Sequence, residues 1–122
     1  MSARILAVDD SPTIRALVGR ALRTAGYEVF LASDGVEGVG SLKDVEPQLI
    51  ITDINMPRLD GFGLIETVRA SADYGSVPIL VLTTESGTDL KARARAAGAT
   101  GWIVKPFDDA QLVSVIERVL GK

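Results

Sequence analysis

Short runs of apolar residues alternate with longer amphipathic stretches along the chain, five times over. The apolar runs are residues 5–8, 27–31, 49–51, 77–82 and 102–104. Four of these runs are continuously apolar, which predicts strands that are covered on both faces. The run at 27–31 contains Glu28 and is therefore expected to form an edge strand.

The stretches between these runs follow helical spacing. The first predicted helix starts at Ser11-Pro12, which suits an N-cap and first turn, and ends at Gly26. Residues 35–44 predict a weaker helix, because Gly38 and Gly40 each cost about 1 kcal/mol relative to alanine. The first, third, fourth and fifth predicted helices each have an apolar stripe. In that order the stripes are Ile14, Leu17, Val18, Ala21 and Leu22; Leu64, Ile65 and Val68; Leu90, Ala94 and Ala97; and Leu112, Val113, Ile116, Val119 and Leu120. The stripe of the fourth helix is thin, and Lys91, Arg93 and Arg95 are expected to point outward. We therefore expect the fourth helix to be the most loosely attached.

Alternation of strands and helices predicts an α/β fold with a parallel sheet, right-handed crossovers and helices on both faces. No linker, repeat or low-complexity stretch interrupts the pattern, so residues 1–122 are expected to form a single domain without an output domain.

Composition narrows the chemistry. The chain of 122 residues has a net charge of -3, which gives no electrostatic case for nucleic acid or an anionic membrane as a partner. It contains no cysteine and no histidine, which excludes disulfides, thiolate and imidazole metal sites, and Ser-His or Cys-His catalysis. No apolar run approaches the length of a membrane span and the start lacks the layout of a signal peptide, so a cytoplasmic protein is expected.

Polar side chains follow four of the five predicted strands. Asp9 and Asp10 end the first strand, Asp53 the third and Thr83 the fourth, and Lys105 follows the fifth. Ligands of open parallel sheets bind beyond the carboxyl ends of the strands, so these groups are expected to converge. Each residue taken singly is more ordinarily a turn, capping or surface residue, and it is their arrival at one edge that indicates a site.

These residue types indicate phosphoryl chemistry with a hard cation. Three carboxylates close together repel one another, and Mg²⁺, which prefers oxygen ligands, relieves that repulsion. An aspartate can then act as a nucleophile on phosphorus. The metal, Lys105 and the Thr83 hydroxyl would neutralise charge on the transferred group from three sides.

Five separated motifs together resemble the receiver domain of two-component response regulators, over residues 4–120. They are Asp9-Asp10-Ser-Pro-Thr-Ile-Arg, Asp53-Ile-Asn-Met-Pro-Arg-Leu-Asp-Gly, Thr83-Thr-Glu, the Gly98-Ala spacing and Lys105-Pro-Phe. Within the family, the length of the chain, the Ser11-x-Thr13-x-Arg15 stretch and Asn55-Met56-Pro57 are most similar to stand-alone chemotaxis regulators of the CheY type.

The resemblance implies a five-stranded, doubly wound parallel sheet in the order 2-1-3-4-5, a flavodoxin-like three-layer sandwich. It implies a monomeric switch, not a metabolic enzyme, in which a histidine kinase passes a phosphoryl group to Asp53. The conformation of the face formed by the fourth predicted helix, the fifth strand and the fifth helix would then shift. The expected partner of that face is a flagellar motor switch protein, and flagellar rotation would be the output.

The resemblance also implies a metal site. Asp10 and Asp53 would bind Mg²⁺ directly, Asp9 mainly through water, and the backbone carbonyl of Asn55 would be a further ligand. Lys105 would pair with Asp53 and later with the phosphoryl oxygens, and Lys105-Pro106 would be a cis peptide.

Two further pairs of residues receive roles from the resemblance. Thr83 would move towards the phosphoryl group, and Trp102, at a position where receivers commonly have Tyr or Phe, would swing inward behind it. Trp102 is bulkier and must satisfy its indole N–H, so the amplitude of this switch is open, and a purely structural core aromatic is the alternative. Asn55 and Glu85 would flank the path of the attacking water and tune the lifetime of the phospho-form to seconds or minutes.

Several alternatives stay open. A receiver can also act as a phosphate sink or relay that binds no motor, and the sequence does not separate these two functions. A haloacid-dehalogenase-like phosphatase fits less well, because it carries an Asp two residues after the nucleophile where this chain has Asn55, which cannot transfer protons. A flavodoxin-like electron carrier would need a Ser/Thr/Gly-rich phosphate loop after the first strand, which this sequence lacks.

Overall fold

A five-stranded parallel sheet with the order β2-β1-β3-β4-β5 forms the centre of the protein, in a computed structural model that describes residues 2–121. The strands are β1 (Arg4–Val8), β2 (Glu28–Ala32), β3 (Leu49–Thr52), β4 (Ile79–Thr83) and β5 (Gly101–Val104). The helices are α1 (Pro12–Thr24), α2 (Gly35–Gly40), α3 (Leu42–Val45), α4 (Gly61–Ala70), α5 (Thr88–Ala97) and α6 (Asp109–Val119). The predicted fold class and strand order are confirmed. Residues 1 and 122, the ends of the predicted domain, lie outside the described residues.

Each face of the sheet has its own hydrophobic core, because alternate strand residues point to opposite layers. On β1, Ile5 and Ala7 pack with residues of α1 and α6, whereas Leu6 and Val8 pack with residues of α2 to α5. The three central strands are almost wholly buried, as continuous apolar runs predict. No helix among residues 2–121 combines the length and the apolar character that crossing a membrane requires.

The outer strands differ from each other in how well the sequence predicts them. β2 is an edge strand, as expected from Glu28. β5 is the opposite edge and pairs only with β4. The expectation that both faces of this run are covered is wrong for β5, since Val104 is 39% exposed and Trp102 only half-buried. An apolar run reports hydrophobicity, and it does not report whether a neighbouring strand or helix is available to cover it.

The predicted limits of α1 are confirmed. The Ser11 hydroxyl accepts a hydrogen bond from the Ile14 amide at 3.2 Å, Pro12 is the first helical residue, and Gly26 takes a left-handed φ of 96° just after the helix. Two residues of its apolar stripe are not fully buried, because Leu17 is 38% exposed and Ile14 is half-buried.

The weak helix predicted at residues 35–44 is two short helices, α2 and α3, separated at Ser41. Gly38 lies against β1, and a Cβ at this position would stand 2.9 Å from a methyl group of Val8. Gly38 therefore allows α2 to approach the sheet closely, and this approach accounts for a glycine in the middle of a helix.

The thin apolar face of α5 is confirmed, because Ala94 is its one buried residue. The helix is also attached by polar groups. The guanidinium of Arg69 on α4 donates to the carbonyl of Gly98, at the end of α5, at 2.8 and 2.9 Å. Arg93, expected to point outward, lies over the ring of Phe62 with 3.9 Å between the guanidinium carbon and the ring centroid.

Candidate functional site

Three carboxylates come together at the carboxyl edge of the sheet. Asp9 and Asp53 directly follow β1 and β3, which pair in parallel with Val8 opposite Thr52. One oxygen from each of Asp9, Asp10 and Asp53 lies within 4.8 Å of the others. Asp9 and Asp53 are buried, with 6% and 8% of their surface exposed, whereas Asp10 is exposed. The cluster is therefore an acidic pocket that opens to solvent at Asp10.

Lys105 bridges the two buried carboxylates. Its Nζ donates to Oδ2 of Asp9 at 2.7 Å and to Oδ2 of Asp53 at 2.8 Å, and its side chain is only 9% exposed. Burial by itself would lower the pKa of Lys105, but the hydrogen bonds and the attraction of both aspartates together raise it above its usual value. Lys105 is thus charged at neutral pH, and the peptide that joins it to Pro106 is cis.

Backbone amides fix the orientation of both buried carboxylates. Oδ1 of Asp53 accepts from the amide of Ile54 at 2.6 Å, and Oδ1 of Asp9 accepts from the amide of Ser11 at 2.9 Å. Gly61 passes so close to Asp53 that a Cβ would overlap the Asp53 carbonyl oxygen. The carboxylates therefore have little freedom to rotate, which is what a preorganised site requires.

The donor set fits a hard divalent cation. Three carboxylates against one ammonium leave an excess of negative charge, and oxygen donors of this kind suit Mg²⁺. Within residues 2–121 the side chain of Asp10 has no hydrogen-bond or ion-pair partner, and the backbone carbonyl of Asn55 accepts no hydrogen bond. Both groups therefore have acceptor oxygens that are not committed to another contact among these residues.

Glu85 connects the other residues that the sequence singles out. Its amide donates to the hydroxyl of Thr83 at 3.4 Å, and its carbonyl accepts from the indole Nε1 of Trp102 at 3.0 Å. Its carboxylate accepts from Nδ2 of Asn55 at 3.2 Å. Thr83 is fully buried and Trp102 half-buried. The indole N–H, whose partner the sequence does not reveal, is satisfied by a backbone carbonyl.

One ion pair near the site is not predicted from the sequence. Arg58, in the loop after Asp53, donates two hydrogen bonds to the carboxylate of Asp34, which precedes α2. Arg58 has a left-handed φ of 67°, which its residue type gives no reason to expect. The Asp34-Gly35 sequence after an edge strand signals a turn and helix start, but not a partner 24 residues later.

Residues 5–117 match the family model described as the response regulator receiver domain. The chain belongs to this family. A receiver domain is a signalling module rather than a metabolic enzyme, and receiver domains bind Mg²⁺ at an acidic pocket, which Asp9, Asp10 and Asp53 form here.

Curated relatives of this receiver domain include two kinds of regulator. The transcriptional regulatory protein PrrA of Mycobacterium tuberculosis is 40% identical over 119 residues, which cover 98% of this chain and 50% of PrrA. The receiver domain thus spans about half the length of that relative. Chemotaxis protein CheY1 of Helicobacter pylori is 38% identical over 120 residues, which cover 97% of each chain.

Solved structures give the same fold. The chemotaxis response regulator CheY4 of Vibrio cholerae is 44% identical, with a TM-score of 0.92 over 98% of this chain and 99% of that one. The receiver domain of a sensor histidine kinase from Pseudomonas aeruginosa is 30% identical, with a TM-score of 0.91 over the full length of both chains. That structure is described with a magnesium ion coordinated in its active-site cleft.

Proposed function

We propose that this receiver domain is a phosphorylation-controlled switch that accepts a phosphoryl group on Asp53 from the phosphohistidine of a histidine kinase. The observation that carries the proposal is the bridge from Lys105 to Asp9 and Asp53, with Asp10 completing a triad within 4.8 Å. The ordinary structural roles of these residues, in a surface turn or a helix cap, do not require a buried ammonium between two oriented carboxylates.

The transfer itself requires little covalent chemistry from the protein. An oxygen of Asp53 forms a bond to phosphorus while the bond between phosphorus and the donor's imidazole nitrogen breaks, and that nitrogen keeps the electron pair. Lys105, already 2.8 Å from Oδ2 of Asp53, would transfer its hydrogen bond to a phosphoryl oxygen. The hydroxyl of Thr83 would supply a second donor as it moves towards the phosphoryl group.

Magnesium would supply neutralisation of the charge on the phosphoryl oxygens. The residues that would hold it are Asp10 and Asp53 directly, Asp9 mainly through water, and Asn55 through its backbone carbonyl. The uncommitted side chain of Asp10 and carbonyl of Asn55 support this ligand set.

Loss of the phosphoryl group would be governed by the mouth of the pocket. Asn55 cannot act as a base for the attacking water, and the Glu85 carboxylate is held by a hydrogen bond from Nδ2 of Asn55 at 3.2 Å. A phospho-form that persists for seconds to minutes is the result that this arrangement favours.

The output would leave through Glu85, which contacts both Thr83 and Trp102. Displacement of Thr83 removes the acceptor of the Glu85 amide, and the Glu85 carbonyl holds the indole. The face formed by α5, β5 and α6, where Val104 and Trp102 are partly exposed, would change with it.

Chemotaxis is the output that we propose, with a flagellar motor switch protein as the partner of that face. The similarity to CheY1 and CheY4 over almost their whole length supports it. The 40% identity to PrrA favours a second candidate, a receiver that controls transcription. A phosphate sink or relay stays a third. The monomeric state, the cytoplasmic location, the lack of an output domain and the absence of nucleic acid as a partner stay predictions.

The proposal has a direct biochemical test. Purified protein is incubated with a labelled phospho-kinase or a small acyl phosphate, with Mg²⁺ or with excess EDTA. Label is expected on the wild type with Mg²⁺ only, and Asp53→Asn should remain folded yet take up none. Undiminished labelling in EDTA or of Asp53→Asn would refute the phosphoacceptor assignment. Retention of motor switch protein by the phosphorylated form alone would separate the chemotaxis output from a sink.

A further inference from the structure

The loop between Asp53 and α4 is held by a second ion pair. Arg58 Nε donates to Oδ2 of Asp34 at 2.8 Å, and Arg58 Nη2 donates to Oδ1 at 3.1 Å. The Asp34 side chain is 9% exposed, whereas that of Arg58 is 58% exposed. A two-pronged contact of this kind fixes orientation as well as distance, and lysine could not reproduce it.

The backbone of the same loop is also fastened at both ends. The amide of Gly35 donates to the carbonyl of Leu59 at 3.2 Å, and a Cβ on Gly35 would overlap that oxygen. The amide of Gly61 donates to the carbonyl of Ile54 at 2.8 Å. Between these ties Arg58 has a φ of 67°, a conformation that is unfavourable for a long side chain and persists only where surrounding contacts impose it.

Asp34 has a second function at the start of α2. Its Oδ1 also accepts from the amide of Glu37 at 2.9 Å and so caps the helix. The hydrogen bonds from Arg58, and then the one from the Glu37 amide, hold the pKa of Asp34 below its usual value. Asp34 is therefore ionised at neutral pH and available to both contacts.

We propose that the Arg58–Asp34 ion pair positions the loop that carries Asn55, and thereby sets the Mg²⁺ affinity and the phosphorylation rate of Asp53. Asn55 lies three residues before Arg58. Its backbone carbonyl is the proposed metal ligand, and its side-chain amide donates to the carboxylate of Glu85. Without the pair, the left-handed turn at Arg58 loses the contact that compensates for it, and the loop relaxes towards extended conformations. Arg58 and Asp34 are thus positioning residues, in an inference that rests on the proposed function.

A double-mutant cycle tests whether the Arg58–Asp34 ion pair positions the loop. Arg58→Gln removes the positive charge and the pair of hydrogen bonds that the guanidinium donates. Asp34→Asn removes the negative charge but keeps a side-chain oxygen that can cap α2. Arg20→Gln is the matched control, since Arg20 is exposed on α1 and its side chain makes no hydrogen bond or ion pair with any residue from 2 to 121. The Mg²⁺ dissociation constant and the initial labelling rate with a small acyl phosphate are measured at a temperature where every variant is folded.

Each single variant is expected to bind Mg²⁺ about tenfold more weakly and to be labelled more slowly, as when an outer partner of a metal site is lost. The double variant should be no worse than either single variant, and Arg20→Gln should match the wild type. A lower melting temperature with unchanged Mg²⁺ affinity and labelling rate would show that the pair is only structural, which overturns the inference. A wild type that neither binds Mg²⁺ nor accepts label would instead refute the proposed function, and with it the positioning role of the Arg58–Asp34 ion pair.

Discussion

Among single residues, Lys105 is distinguished by an ammonium that compensates the charge of two buried carboxylates. It is the cation that accompanies two carboxylates which are themselves almost fully buried, at 2.7 and 2.8 Å. Removing one partner of a buried ion pair leaves the others uncompensated and is strongly destabilising. The stability of the protein and the proposed reactivity of Asp53 would therefore depend on the same side chain.

Lys105→Met should lower the free energy of unfolding by about 3 kcal/mol at neutral pH, because Asp9 and Asp53 would then face each other without a cation. The pKa of Lys105 is raised in the folded protein, so its contribution is fully present below the ordinary lysine pKa of 10.5. The contribution is lost only as the pH rises through the higher folded value. Urea unfolding of both proteins from pH 6 to about pH 11 measures this difference. Equal stability of the two proteins at neutral pH would contradict the account.

Sequence reasoning identifies Asp9, Asp53 and Lys105 because each follows an apolar run that predicts a strand, and parallel strands bring their carboxyl ends to one edge. Arg58 and the backbone of Glu85 escape it for a different reason. The contact of Arg58 depends on a left-handed turn, and that of Glu85 on a carbonyl which every residue possesses. Residue type carries no signal for either feature.

Among the elements, α2 shows how the same residue type can have opposite consequences. Gly38 and Gly40 look alike in the sequence, where each weakens a helix. In the structure Gly38 packs against Val8 and Leu64, whereas a Cβ on Gly40 would meet nothing within 4 Å. The sequence thus predicts a weak helix, but it cannot tell which glycine is required.

Substituting each glycine by alanine separates these two environments. Gly40→Ala should raise the free energy of unfolding by about 0.5–1 kcal/mol, because alanine loses less backbone entropy on folding and fits the open site. Gly38→Ala should lower it by about 1–3 kcal/mol, because the new methyl overlaps Val8 and Leu64. Urea unfolding at neutral pH gives both values. Equal and same-signed changes would mean that α2 does not pack against β1 as described.

β5 is the element whose surroundings the sequence misjudges. Its apolar run satisfies the criterion for a strand buried on both faces, yet β5 ends the sheet and leaves Val104 exposed. Strand order is a property of the whole chain, and local hydrophobicity does not encode it. The resulting exposure of an apolar strand edge beside α5 and α6 is consistent with the proposed output face.

For the molecule as a whole, the proposed switch connects the acidic pocket to that face through one residue. Thr83, Glu85 and Trp102 are joined by two hydrogen bonds, at 3.4 and 3.0 Å. The resemblance to receivers predicts the participants, and the structure adds the connection through Glu85. A two-state element of this kind shifts only as far as the phosphoryl group stabilises one state over the other.

Fluorescence of Trp102, the one tryptophan of the chain, reports this connection. Beryllofluoride with Mg²⁺, which mimics an aspartyl phosphate, should change its emission wavelength or its quenching by an external agent. Thr83→Ala should still bind the mimic but lose most of the change. Thr84→Ala, at the exposed neighbouring threonine, should retain it. Constant emission and quenching while the mimic binds would make Trp102 a structural aromatic.

The central claim is that Asp53 carries the phosphoryl group, and chemical mapping tests it most directly. Borohydride reduces an aspartyl phosphate to homoserine, which peptide mass spectrometry locates in the sequence. After treatment with a phosphodonor and Mg²⁺, homoserine is expected at position 53 alone, and none is expected without donor. Homoserine at position 9 or 10, or a fully labelled protein that yields no homoserine at 53, would contradict the account.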